Sequence, residues 1–127
     1  MQDFMFFKVG GSYSKINFQE ILFIQAEKRY VTIVTACKCY FSQISIGEIE
    51  KHLPPDIFRR VHRSYIISLR HTDAFDNELV YIGKKKIPIA EQYKNVFKNS
   101  IIVIHGNSSP FSLGDGAVDK LLNDLKP

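Results

Sequence analysis

Apolar positions along the chain fall in short clusters, either alternating with polar residues or uninterrupted over four to six positions, a pattern of strands rather than of long helices. Phe4 to Val9 is an apolar, aromatic run stopped by Gly10-Gly11, and Tyr13 to Phe18 resumes with Ser14, Ile16 and Phe18 alternating against Tyr13, Lys15 and Asn17. Two such runs flanking a Gly-Gly turn predict a hairpin. Glu20 to Ala26 is dominated by Ile, Leu and Phe, as in a strand covered on both faces, and Tyr30 to Thr35 is β-branched and aromatic almost throughout. Lys38 to Gln43 reads as another strand. Ser45, three residues before Glu48, fits a capping box and predicts a helix over Ile46 to Leu53, with Ile46, Ile49 and Leu53 on one face. Pro54-Pro55 ends it, because proline cannot continue a helix.

The next segment, FRRVHRSYIISLRH from Phe58 to His71, reads as an arginine-rich opening that leads into a strand over Ser64 to Leu69. Thr72 to Phe75, Glu78 to Ile82 and Lys86 to Ile89 give three short strands around the turn-type clusters Asp76-Asn77 and Gly83-Lys84-Lys85. Glu91 to Lys98 adds a helical turn or two, stopped at Asn99. Past Ser100 come a short apolar run, a Gly/Asn/Ser/Pro stretch from Gly106 to Gly116, and a helix over Ala117 to Leu125. Its apolar face, Val118, Leu121, Leu122 and Leu125, is expected to dock on the body, a second copy being the other surface it could cover. The fold class expected is all-β and mainly antiparallel, an elongated arrangement of small sheets with one short helix between strands and a helical C-terminal tail. Residues 1–100 form the domain and 101–127 an extension.

Composition narrows the possibilities. At 127 residues the chain has room for one core, and 45% hydrophobic against 24% charged residues is the balance of an ordered globular protein. No apolar run approaches the roughly 20 residues of a membrane helix, and no signal segment opens the chain, so a cytoplasmic protein is expected. Cys37 and Cys39 share a face of one strand and read as reduced thiols; with His52, His62, His71 and His105 they form no metal-ligand spacing. No paired carboxylates, nucleophile and base, or phosphate-cradling glycines are recognisable, which argues against an enzyme, a cofactor or a small-molecule substrate. Charge points elsewhere: residues 1–100 carry 15 Lys/Arg against 10 Asp/Glu, while residues 101–127 carry 2 against 3. A basic body is the electrostatic footprint of a polyanion binder, though by itself it does not separate nucleic acid from an acidic protein.

The order of blocks is more specific. INFQEILFIQAEKRYVTIVT, a short capped helix, LPPDIFRRVHRSYIISL and LVYIGKKKIPIAEQY follow one another over about residues 4–98. This succession resembles the LytTR family, DNA-binding domains at the C-terminus of many bacterial response regulators of two-component systems. The resemblance implies a transcription regulator that grips double-stranded DNA with loops at one edge of small antiparallel sheets, reaching successive major grooves without a recognition helix. Two copies on paired direct repeats are implied in the same way. Relatives of this kind usually carry a receiver domain or a membrane segment upstream; the chain shows neither, so it is expected to be either a fragment or a free-standing member.

Carried over residue by residue, the resemblance places Lys28 and Arg29 on a DNA-facing loop, Lys28 toward phosphate and Arg29 toward guanine, with Tyr30 packing. Arg63 is the leading candidate for a base contact. His62 is expected to shape its loop, with a possible contact. Arg59 and Arg60 are candidates for phosphate, Arg60 alternatively for a carboxylate inside the fold. In the third block Ala90-Glu91-Gln92 stands where the family often has Ser-Arg, so Gln92 is the candidate there, with Lys84 and Lys85 supplying charge nearby. Ser68 stands where Asn is common. The alternative reading is a protein-interaction module on the same scaffold that has lost DNA binding, with Glu91 and the acidic tail marking its site.

Overall fold

The computed structural model describes residues 2–106 and 116–124, among which ten strands form three antiparallel sheets. The expected hairpin is β1 (Phe4–Val9) against β2 (Ser12–Asn17), with Phe4 opposite Asn17 and Val9 opposite Ser12. Gly10 turns it at φ 61°, a left-handed value that side chains resist. The central sheet runs β5-β4-β3-β7-β6, from β3 (Ile21–Ala26), β4 (Val31–Thr35), β5 (Cys39–Ser42), β6 (Phe58–His62) and β7 (Tyr65–Ser68). The third sheet, β10-β9-β8, comprises β8 (Ala74–Phe75), β9 (Leu79–Ile82) and β10 (Lys85–Pro88). The helices are α1 (Ile46–Glu50), α2 (Glu91–Asn99) and α3 (Ala117–Asp124).

Each face of the central sheet seats its own core. Phe7 and Ile16 of the first hairpin and Ile46 and Ile49 of α1 close over Ile24, Ile33 and Ile66 on one side. Val80, Ile82 and Ile87 of the third sheet and Phe97 of α2 close over Phe23, Val61 and Ile67 on the other. Neighbouring residues such as Ile66 and Ile67 therefore serve opposite cores, which is why the central strands read as unbroken apolar runs. Burying side chains of this size contributes about 1.5–3 kcal/mol each before conformational entropy is counted.

Several elements differ from the sequence expectation. Phe58–His62, read as an arginine-rich opening before a strand over Ser64 to Leu69, is itself a strand paired with β7, Phe58 opposite Ser68 and Arg59 opposite Ile67. A register shift between Arg60 and His62 breaks its alternation. α1 ends at Glu50 rather than Leu53, because the amides of His52 and Leu53 bond three residues back, to Ile49 and Glu50, in tighter turns. Only half of the capping box forms: Ser45 Oγ accepts from the Glu48 amide at 3.1 Å, while the Glu48 carboxylate turns to Lys51 at 3.4 Å. Cys37 lies in the bend between β4 and β5 rather than beside Cys39 on a strand, and both thiols are exposed. α2, by contrast, starts at Glu91 and ends at Asn99, as the sequence leads one to expect. The expected docking of the tail on the body is not seen among the described residues, for Leu121 and Leu122 of α3 are 53% and 55% exposed. Leu125, the side chain of Val118 and most of the Gly106 to Gly116 stretch lie outside the described residues.

Candidate nucleic-acid interface

β3 leaves the central sheet where β7 enters it. Gln25 pairs with Tyr65, and the Ala26 amide donates to the Ser64 carbonyl at 2.8 Å. The β3–β4 loop and the β6–β7 loop thus emerge side by side at one edge.

The β3–β4 loop closes on itself. The Glu27 amide donates to the Tyr30 carbonyl at 2.8 Å, and the Tyr30 hydroxyl donates to Glu27 Oε2 at 3.0 Å. That hydrogen bond, reinforced by the carboxylate's charge, raises the Tyr30 pKa above its ordinary value. Lys28 and Arg29 stand exposed at the tip, and the Tyr30 ring packs edge-on against Phe41 at 5.9 Å.

The β6–β7 loop is held from behind by Arg60. Its Nε donates to the His62 carbonyl at 2.8 Å, Nη2 to the Arg63 carbonyl at 2.6 Å, and Nη1 to Glu50 Oε1 of α1 at 2.8 Å. With a side chain only 16% exposed, Arg60 pairs with the internal carboxylate that the sequence left open and braces the loop. His62 Nδ1 accepts from the Ser64 amide at 3.0 Å, which requires that nitrogen to be unprotonated. Burial, then the charges of Arg63 and Arg60, lower the His62 pKa and favour that state. The Arg63 side chain is exposed.

Lys28, Arg29 and Arg63 line one groove of roughly 810 Å³ together with Glu27, Gln43 and Ser64. Glu27, Gln43 and Ser64 were not singled out in the sequence; a polar side chain such as Gln43, between β5 and α1, carries no signal there. The β9–β10 turn is fastened by Gly83, at φ 57°, whose amide donates to Asp73 Oδ2 at 2.8 Å. Lys84 is exposed at its tip, whereas the Lys85 ammonium lies 5.7 Å from the rings of both Phe23 and Tyr65, alongside the second loop.

Arg59, Arg60 and Gln92 belong to a different groove, of roughly 330 Å³, which Glu50, Tyr93 and Val96 also line. Gln92 is exposed on the first turn of α2, whose approach is fixed by the Ala90 amide donating to the Val61 carbonyl at 2.8 Å. Arg59 Nε is buried without a hydrogen-bond partner, an arrangement that costs about 1–3 kcal/mol. Beside Gln92, Glu91 is 90% exposed and pairs with Lys94 at 2.9 Å.

Among the described residues no three His, Cys, Asp or Glu side chains converge as metal ligands, and no helix is long and apolar enough to cross a membrane.

Comparison with known proteins identifies the family and agrees with the fold. The family model of the LytTr DNA-binding domain matches residues 11–102. The chain is 40% identical over 55 residues to the CO-responsive transcriptional regulator RcoM of Rhodospirillum rubrum, a stretch covering 43% of this chain and 23% of RcoM. It is 28% identical over 89 residues to the sensory transduction protein LytT of Bacillus anthracis, covering 65% of this chain and 36% of LytT. The matches thus span only 23% to 36% of those two relatives. In fold, the chain is similar to a solved LytTr DNA-binding domain from Bacillus cereus, with a TM-score of 0.67 at 20% identity, covering 79% of this chain and 97% of that one.

Proposed function

The chain belongs to the LytTR family of DNA-binding domains, and from that premise we propose that it reads a specific duplex sequence through the paired β3–β4 and β6–β7 loops. Domains of this family are DNA-binding effectors of transcription regulators rather than enzymes. The observation that carries the reading is the convergence of Lys28, Arg29 and Arg63 on one groove, with Lys85 alongside. Arg63 is the residue proposed to read a base: unlike Arg60, its guanidinium is exposed, and its planar fork matches O6 and N7 of guanine in the major groove. Lys28 serves a phosphate, and Arg29 a phosphate or a second guanine. Lys84, Lys85 and Arg59 are phosphate contacts in this reading, and Gln92 meets an adenine from the neighbouring groove. His62 sets the loop's shape. Two copies occupy paired direct repeats.

The test is selection of bound duplexes from a random library, followed by titration of the enriched site and a scrambled duplex at several salt concentrations. An enriched repeat bound about 10³-fold or more tighter than scramble supports the reading. Binding that is weak and vanishes alike for both duplexes as salt rises rejects it and favours a protein partner for the same edge, where Glu27 supplies a carboxylate.

A further inference from the structure

The groove between the two loops does not end at Tyr30. A second trough of roughly 580 Å³, lined by Lys8, Gly10, Tyr30, Phe41, Ser42 and Gln43, shares Tyr30 and Gln43 with it. The topology explains the continuity: β4 begins and β5 ends at the edge where β3 leaves, and the β1–β2 turn reaches that same edge. The Tyr30 ring lines both troughs, and Phe41, edge-on to it, lines the second.

The electrostatics of the added trough are one-sided. No carboxylate lines it, and neither β1 nor β2 contains an Asp or Glu. Lys8 is exposed and forms no salt bridge among the described residues; its ammonium lies 6.0 Å from the Tyr13 ring across the hairpin. A lysine in that setting is available to a polyanion lying along the edge. Lys8 also precedes residues 11–102, so the family match does not assign it a role.

We propose that the bound duplex continues past the Lys28, Arg29 and Arg63 groove into this trough, where Lys8 takes one further backbone phosphate outside the bases being read. The inference rests on the proposed duplex reading and extends it: Lys8 is a positioning contact that adds affinity and lengthens the footprint without adding sequence preference.

The experiment uses the whole chain and the enriched duplex with long flanks, titrated between low and moderate salt. Lys8→Gln is expected to make the slope of log affinity against log salt shallower by about 0.9, and to weaken binding roughly eightfold at about 0.1 M monovalent salt, equally for enriched and scrambled duplex. Lys8→Arg retains the wild-type slope. Trimming the flank that lies under the β1–β2 turn gives the wild type the slope of Lys8→Gln. If Lys8→Gln leaves slope and affinity unchanged while Arg63→Ala weakens the enriched site, the extension is wrong and the underlying reading stands. If the wild type does not distinguish enriched from scrambled duplex, the underlying reading fails and the extension with it.

Discussion

The two loops at the proposed recognition edge are built in opposite ways. The β6–β7 loop takes its shape from outside itself: Arg60 donates to two of its carbonyls while anchored to Glu50 of α1, and His62 receives the Ser64 amide. The β3–β4 loop is closed mainly by its own two ends, Glu27 and Tyr30, joined by a backbone and an exposed side-chain hydrogen bond, with the Tyr30 ring leaning on Phe41. A loop braced by the fold arrives at DNA in one conformation, which suits a base contact that must meet two acceptors at once. A self-closed loop adjusts, which suits phosphate contacts tolerant of small displacements.

The largest effect should come from removing the brace. Arg60→Met strands the carbonyls of His62 and Arg63 and the carboxylate of Glu50, and is expected to cost about 2–3 kcal/mol of stability in urea unfolding and to abolish preference for the enriched duplex. Intact preference in a folded Arg60→Met protein would show that the loop holds its shape unaided. Arg63→Ala should weaken the enriched site by about 1–3 kcal/mol and leave the urea midpoint where it was. Equal losses on enriched and scrambled duplex would demote Arg63 to a phosphate contact. For the softer loop, Glu27→Gln keeps an acceptor for the Tyr30 hydroxyl and removes a negative charge beside the proposed phosphates. Affinity should rise by about 0.5 kcal/mol, and more at low salt; a fall would mean that the carboxylate itself holds the loop.

The smallest effect is a pH dependence confined to the braced loop. His62 is neutral in the fold and its pKa is lowered there, so on acidification the unfolded chain takes up this proton first. The contribution to stability is complete above the ordinary histidine value of about 6.5 and is lost as pH falls from there through the lower folded value. Urea midpoints measured across that window should decline less in His62→Gln than in the wild type. Identical declines would assign the acid sensitivity to other groups.

Elements that alternate cleanly or pack on both faces were legible from sequence: the β1–β2 hairpin, β3 and the Ser45 cap all stand within a residue or two of expectation. β6 was not, for a physical reason. Phe58 and Val61 enter opposite cores across a register shift, and two arginines intervene, so neither a period of two nor an apolar run remains to be read. α2 was legible, within a residue of its expected end at Lys98, although its N-cap, Ala90, offers no capping side chain. At the site, the sequence identified the cations and ranked Arg63 first, but left Arg60 open between phosphate and an internal carboxylate. What separates Arg60 from Arg63 is Glu50, ten residues away on another element. Gln92 followed the same limit: adjacency in the motif did not put it in the groove of Lys28, Arg29 and Arg63. The tail helix shows the reverse case, an amphipathic pattern in which Leu121 and Leu122 stand exposed.

Because Ile66 and Ile67 face different cores, β7 is apolar on both sides, and a slip of one residue would exchange one greasy face for another with little penalty from polarity. The sheet must therefore be indexed elsewhere, and the short connection from His62 to Tyr65, pinned by Arg60 to a neighbouring helix, is where the count is kept. The same few residues set the frame of the sheet and face the proposed ligand. Lengthening or shortening this connection would scramble both cores, whereas exchanging the side chain at Arg63 would leave them untouched. In the proposed reading, a substitution at Arg63 could therefore change target preference without disturbing the fold, whereas an insertion in that loop could not.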